Sequence, residues 1–342
     1  MSEMIKALVA KEIDGKVKGV LTEISVDDLP NEDVLVAISH STLNYKDALA
    51  VTGRGKICRS TPMVCGIDLA GTVVESRSAD WALGDRVLVN GFGLSEKFWG
   101  GYAQKQRLKP EWLVRIPESF TNEQAMAIGT AGYTAMLCVL AIQDKGVKPG
   151  DGPVLVTGAT GGVGTVAVML LSGLGYEVVA VSGRADQHEG FLKSLGASAV
   201  KNREEFLRDC RPLETETWAA AVDSVGDKTL ATILAQTRYE GIVTACGLAG
   251  GIGLPSTVMP FILRGVTLRG IDSVMASQAV RQRAWAALAR LVDKQRLREI
   301  YSVEPFSKLP ELAAGLLNGE IRGRVVIDIN GWTSRQGIQA HG

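Results

Sequence analysis

A glycine-rich turn set between two short apolar runs constrains this 342-residue chain more than any other feature. Val154, Leu155 and Val156 read as a buried strand that stops at Gly158-Ala159-Thr160-Gly161-Gly162-Val163-Gly164. An apolar helical segment follows to about Leu174, and a second apolar run, Val178–Val181, ends at Ser182-Gly183-Arg184. Strand, glycine turn, helix and strand make half of a dinucleotide-binding unit. Gly158 lets the chain turn sharply, Gly161 and Gly162 let backbone approach a pyrophosphate, and Gly164 permits close helix–strand packing. The amino end of the helix offers N–H groups and a positive dipole end to the phosphates. The second strand carries no acid at its end to hold a pair of ribose hydroxyls, and none occurs before Asp186. Ser182 and Arg184 suit a 2′-phosphate instead, because a guanidinium is a charged, forked donor. The cofactor implied is NADPH; the bland alternative is a buried glycine turn with a surface arginine.

The chain on either side supports a two-part organisation. Over the first 120 residues, Lys6–Val9, Val34–Ser39, Asp68–Glu75, Arg86–Asn90 and Tyr102–Leu108 are short β-type runs between Gly, Pro and Asp turns, with a short helix at Asn44–Val51 capped by Asn44. From Thr121 the pattern turns helical, through Ala125–Ile142. Beyond Arg184, helices at His188–Leu195, Glu204–Cys210 and Lys228–Gln236 alternate with strands at Ala219–Asp223, Gly241–Cys246 and Gly265–Arg269, which implies an α/β doubly wound parallel sheet. Ala276–Arg296 reads as one long amphipathic helix, and Arg324–Ile329 as a final strand belonging with the first unit. Lys plus Arg and Asp plus Glu are 37 each, which gives no support for a nucleic-acid or anionic-membrane partner. Neither end reads as a secretory or spanning segment, so the expected location is cytoplasmic. Five scattered cysteines without a C-x-x-C pair, and three histidines, leave little material for a metal site.

Ser41–Ala50 (STLNYKDALA), Gly66–Val73 (GIDLAGTV), Trp99–Ala103 (WGGYA), Ile128–Cys138 (IGTAGYTAMLC), Thr157–Gly164, Ala221–Lys228 (AVDSVGDK), Ala245–Gly251 (ACGLAGG) and Ser256–Leu263 (STVMPFIL) carry a resemblance over about residues 4 to 330. The chain is similar to the zinc-independent, quinone-oxidoreductase branch of the medium-chain dehydrogenase/reductases, and within it to the bacterial acrylyl-CoA reductase (NADPH) group. The resemblance implies a GroES-like β-rich substrate domain over 1–124, a Rossmann NADPH-binding domain over 125–270, a C-terminal part returning to the substrate domain over 271–330 and a disordered tail over 331–342. Where related alcohol dehydrogenases carry zinc ligands, this chain has Asn44 and Gly66-Ile67-Asp68, and Gly91–Lys109 contains no cysteine. An amide and an isoleucine do not replace a thiolate and an imidazole, so no metal is expected.

The activity implied is NADPH-dependent reduction of acrylyl-CoA to propanoyl-CoA by hydride transfer to the β-carbon, in a homodimer. An NADPH:quinone or enone oxidoreductase and a non-catalytic NADPH-binding protein are the rival readings. Carried residue by residue, the resemblance sets Thr160, Gly161, Gly162 and Val163 at the pyrophosphate and Ser182, Gly183 and Arg184 at the 2′-phosphate. Gly247, Leu248 and Asn318 fall on the nicotinamide side. Arg203 is either an adenosine-end contact or a solvated arginine. Tyr45 either contacts the cofactor and relays a proton or packs as an aromatic; Asn44 either donates to the thioester oxygen or caps its helix. Asp68 is expected to pair with a base. The basic loop with Arg54, Lys56 and Arg59 either holds CoA phosphates or is solvated, and Arg324 either meets substrate or pairs structurally. Cys65 reads as a small buried hydrophobe.

Overall fold

Two long strands, β1 (Met4–Ile13) and β2 (Lys16–Ser25), pair in register from Met4↔Ser25 to Ile13↔Lys16. They are joined by Asp14 and Gly15, both at positive φ, the turn whose twist matches a two-residue hairpin. β3 (Val34–Leu43), helix α1 (Tyr45–Thr52), β4 (Met63–Val64), β5 (Asp68–Ser76), β6 (Arg86–Asn90), β7 (Lys105–Leu108) and β8 (Val114–Arg115) follow. Helix α2 (Asn122–Lys145) is broken at Gly129, whose φ of 52° and ψ of −161° interrupt the helical hydrogen-bond ladder. By length and composition α2 is apolar enough to cross a membrane, but 89% of its most apolar window is buried inside the protein, as in a core helix.

The second half-chain alternates strand and helix: β9 (Val154–Val156), α3 (Gly162–Gly173), β10 (Val178–Ser182), α4 (Ala185–Ser194), β11 (Ala199–Asn202), β12 (Trp218–Asp223), α5 (Asp227–Gln236), β13 (Thr237–Ala245), α6 (Met259–Arg264), β14 (Thr267–Gly270), α7 (Gln278–Leu291) and α8 (Lys294–Glu299). β15 (Tyr301–Pro305), α9 (Leu309–Leu317) and β16 (Arg324–Asp328) close the fold. The computed structural model describes Ser2–Gly331 and falls into two units, one up to Thr130 and again from Tyr301, the other Ala131–Ile300.

In the first unit, β2-β1-β4 form a small sheet, and β15-β16-β3-β5-β6-β8, with β7 also on β3, form a larger one. The core between them is built from Val34, Val36, Leu69, Val87, Leu108, Phe306 and Val325. In the second unit the six strands run parallel in the order β11-β10-β9-β12-β13-β14. β9, β10 and β12 are buried along their whole length, which explains why they read as continuous apolar runs rather than alternating ones. This is the doubly wound Rossmann order, reversing between β9 and β12.

Three expectations change. Glu204–Cys210 is not a helix: Asn202 caps a single tight turn, Arg203–Glu205, and the chain then opens toward Pro212, which disfavours helix at the residue before it. Ala276–Arg296 is two helices, because Val292 is extended and Asp293 caps a new helix by accepting from the amides of Gln295 and Arg296. The segment 271–300, expected in the first unit, groups with the second. There Arg281 stacks over Tyr133, and Arg283 makes a forked pair with Asp144 at 2.8 and 2.6 Å. Of the expected tail 331–342, all but Gly331 lies outside the described residues.

Candidate active site

The glycine turn builds an anion cradle inside the second unit. Gly158 has φ +56°, and a Cβ there would stand 2.5 Å from Ser224 Oγ. A Cβ on Gly164 would stand 2.3 Å from the Gly158 carbonyl oxygen and 2.5 Å from Ala159 Cα, so only glycine lets the helix start this close to the strand. Gly161 caps α3 without a side chain, and the first intrahelical bond is from the Thr165 amide, which leaves the preceding amides aimed out of the helix end. Thr160, Gly162 and Val163 line that end with partial exposure. Sequence reasoning missed Asp223, which accepts from Thr157 Oγ1 (2.7 Å) and the Gly226 amide (2.8 Å) and so ties the ends of β9 and β12 together beside the cradle. Burial pushes its carboxyl above the ordinary range.

A second feature of the same unit comes from strand register. Ser182 pairs opposite Asn202, so Arg203 is brought beside Gly183. A Cβ on Gly183 would meet the Arg203 guanidinium at 3.1–3.4 Å, which means that this guanidinium lies across the glycine. Ser182 is buried, and its Oγ accepts from the Arg184 amide at 3.2 Å, a bond that does not use the hydroxyl hydrogen. The Arg203 guanidinium and the Ser182 hydroxyl thus lie at the end of β10, where the exposed Arg184 precedes α4, a donor set that fits a phosphate monoester. Gly247 and Leu248 follow β13, with Leu248 exposed.

In the first unit, the residues that replace zinc ligands form a buried hydrogen-bond network. Asn44 Nδ2 donates to Asp47 Oδ2 (2.9 Å) and Asp68 Oδ2 (2.7 Å), and Asn44 Oδ1 accepts from Arg324 Nη1 (3.1 Å). Asp68 also accepts from Asn90 Nδ2 (2.6 Å), the Thr130 amide (3.0 Å) and Thr130 Oγ1 (2.6 Å). The break at Gly129 makes the Thr130 amide available for this. Asp47 accepts the Asn44 and Ile67 amides at 3.0 and 2.9 Å. Arg324 further donates to the Ala127 carbonyl (3.1 Å) and Thr42 Oγ1 (2.8 Å).

Two family models match this chain: the alcohol dehydrogenase GroES-like domain over residues 30–118 and the zinc-binding dehydrogenase domain over 162–293. The chain is 50% identical to the probable acrylyl-CoA reductase AcuI of Escherichia coli, over 95% of its own length and 100% of that protein. It is 48% identical to the acrylyl-CoA reductase AcuI of Ruegeria pomeroyi, over 96% and 100%. Among solved structures, the yhdH oxidoreductase of Salmonella enterica in complex with NADP superposes with a TM-score of 0.93 at 49% identity, covering 94% of this chain and 99% of that one. The chain belongs to the zinc-independent medium-chain dehydrogenase/reductases.

In this dehydrogenase/reductase the metal-site positions Asn44 and Asp68 are bonded to each other, and Asn44 also bonds Asp47 and Arg324. Among the described residues no group of three or more His, Cys, Asp or Glu side chains is placed to hold a metal ion. Asn44 has both amide hydrogens committed to Asp47 and Asp68 and starts α1. Arg324 is 3% exposed, with all its nitrogens engaged within the network. Asp68 meets neutral donors directly, with Arg324 acting on it through the shared Asn44 and through space. Tyr45 stands at the first position of α1 and is 56% exposed. Asn318 closes α9 in the first unit, donates to Glu320 Oε1 (3.3 Å) and accepts from Arg54 Nη1 (3.4 Å). Arg54, Lys56 and Arg59 are exposed, and Cys65 is buried as expected.

The network has a pH signature. Burial, and then the Asp68 carboxylate, push the Asp47 carboxyl up to about 7, against the pull of the amides it accepts from. A carboxyl that holds its proton more firmly folded than unfolded contributes stability that is fully present below the unfolded value near 4 and is lost as pH rises through about 7. Read in urea at pH 6 and pH 8, the stability difference between the natural protein and Asp47→Asn is expected to move by about 1 kcal/mol toward the variant at the higher pH. No movement, or movement the other way, would mean that Asp47 is already ionised at pH 6.

Proposed function

We propose that this chain is an NADPH-dependent acrylyl-CoA reductase, catalysing acrylyl-CoA + NADPH + H⁺ → propanoyl-CoA + NADP⁺. The observation that carries the reading is end-to-end identity of about half with two proteins named as acrylyl-CoA reductases, joined to the phosphate-monoester donor set at the end of β10. When bound, NADPH supplies the hydride that adds to the β-carbon of the thioester alkene. The chain's own residues do the rest. The amides of Gly162 and Val163, with Gly161 and Thr160 beside them, hold the pyrophosphate, and Ser182, Gly183, Arg184 and Arg203 hold the 2′-phosphate. Gly247 and Leu248, which follow β13, form nicotinamide-side contacts.

As hydride adds, charge grows on the thioester oxygen and calls for a positioned donor. Tyr45 is the donor we assign, because its phenol is exposed whereas Asn44 has no amide hydrogen left to give. Asn44 is the positioning residue: it starts α1 and fixes where Tyr45 stands. The exposed cations Arg54, Lys56 and Arg59 suit the phosphates of CoA. We place the enzyme in the cytoplasm as a homodimer, a reading supported by five free cysteines and by the edge strand β14, flanked by exposed Val258, Ile262, Leu263 and Met275.

The test is NADPH oxidation with acrylyl-CoA, crotonyl-CoA, free acrylate and a simple quinone, each with Tyr45→Phe alongside. The natural enzyme is expected to prefer acrylyl-CoA, and Tyr45→Phe to lower kcat roughly a hundredfold with NADPH affinity unchanged. Quinone turnover with idle thioesters would make the protein a quinone reductase. NADPH binding without any turnover would make it a non-catalytic binding protein.

A further inference from the structure

Between β6 and β7 the chain runs through a tight loop, residues 91–98, whose backbone is costly for its length. Phe92 and Ser95 hold φ of +53° and +68°, a left-handed conformation that side chains other than glycine disfavour. Ser95 is fully buried, and its hydroxyl meets no hydrogen-bond partner among the described residues, which adds a desolvation penalty. The loop is fastened all the same. The Gly91 amide donates to the Ile67 carbonyl at 2.9 Å and the Ser95 amide to the Phe98 carbonyl at 2.8 Å, while Phe98 tilts onto Trp112 with ring centres 4.9 Å apart. What this geometry presents is the next residue, Glu96. Its carboxylate pairs with Lys46 of α1, and its carbonyl accepts from the Arg59 amide of the cationic loop at 2.9 Å. We propose that Glu96 is a positioning residue for the reduction: by holding Lys46 it fixes the first turn of α1, and with it where the neighbouring Tyr45 phenol stands.

The pairing meets a difficulty set by the sequence. Lys46 is the second residue of α1, the end at which the helix dipole and the unpaired amides favour negative charge. A carboxylate brought from 50 positions away offsets that charge and ties the helix start to the loop. On the buried side the same turn is held by Asp47, which accepts the Ile67 amide, and the carbonyl of Ile67 is the one that takes the Gly91 amide. Helix start and loop therefore share one anchor, and Tyr45 stands between residues fixed on both sides. The Lys46 and Glu96 side chains are 31% and 18% exposed, and a pair this open adds little to stability, so its effect falls on placement and not on folding. The two contacts of Glu96 are also separable: the carboxylate serves α1, whereas the carbonyl that holds Arg59 survives any change of side chain.

The inference rests on Tyr45 as the donor to the thioester oxygen, and the experiment separates the two. NADPH oxidation with acrylyl-CoA is measured for Glu96→Gln and Lys46→Met, each made in the natural protein and in Tyr45→Phe. In the natural background both are expected to lower kcat roughly tenfold, the effect of a small misplacement, with KM for acrylyl-CoA and the urea midpoint unchanged. In the Tyr45→Phe background neither is expected to lower kcat further, because no phenol is left to place. The charge exchange Lys46→Glu with Glu96→Lys is expected to recover part of the loss. Equal losses in both backgrounds would mean that the pair acts elsewhere, and a raised KM with natural kcat would mean that it serves the CoA loop. Either result overturns the proposal, as do unchanged kinetics in both single variants. Tyr45→Phe with natural kcat would instead remove Tyr45 from the chemistry, and the role of Glu96 with it.

Discussion

Replacing Arg324 by methionine is expected to remove about 3–5 kcal/mol of unfolding free energy, because it leaves buried carboxyls without their cation. Asp47 and Asp68 are both fully buried, and Arg324 is the buried positive charge that acts on both. Its loss would also strip the partners from Asn44 Oδ1 and the Ala127 carbonyl, each buried acceptor adding its own desolvation penalty. Arg324→Lys is expected to lose less, since the charge survives, but still a sizeable part, because one ammonium cannot donate in the three directions the guanidinium covers. The measurement is urea unfolding at fixed pH, with Arg77→Met as the control. Arg77 pairs with Asp33 at 3.1 Å where both side chains are about half exposed, and should cost no more than about 1 kcal/mol. If Arg324→Met falls within the range of that control, the network is not what holds this end of the first unit together.

The same network shows where sequence reasoning runs out. The glycine turn was legible because its function is local: φ sign, close approach and helix start all lie within Gly158–Gly164. So was the alternation that produced the parallel sheet, and so was Asn44 as a helix start. Arg324 gave no such signal, since the atoms it binds belong to residues 197, 280 and 282 positions earlier in the chain. Nothing about an arginine at the start of a strand says that three distant acceptors will close around it. Asn44 suffered the same ambiguity. Its two amide hydrogens looked available until Asp68, 24 residues on, was seen to take one of them. The break at Asp293 was missed for a different reason: the apolar period runs through it, and only the cap identifies the second helix. Arg203 is the converse, a residue left open by its surroundings and set beside Gly183 by strand register.

That register leads to the other large effect. Arg184→Ala and Arg203→Ala are each expected to weaken NADPH binding by about 1.5–3 kcal/mol, the range for a charge-assisted hydrogen bond, and to leave NADH binding nearly unchanged. The argument is geometric. β10 and β11 are parallel with Ser182 opposite Asn202, so the first residues beyond their ends emerge side by side, and the Arg203 guanidinium crosses Gly183 at 3.1–3.4 Å from where a Cβ would be. Two guanidiniums that grip one 2′-phosphate share a partner, so the double variant should lose less than the sum of the single losses, a coupling that independent surface arginines would not show. Gly183→Asp carries the test further by setting a carboxylate against Arg203 at the end of β10. There it would neutralise the guanidinium, repel the 2′-phosphate and offer the two acceptor oxygens that a free ribose hydroxyl pair needs. Fluorescence titration of both cofactors against the natural protein and the four variants reads all of this directly. Equal losses for NADPH and NADH in the arginine variants would mean that these side chains hold the adenosine, or the fold around it, and not the 2′-phosphate.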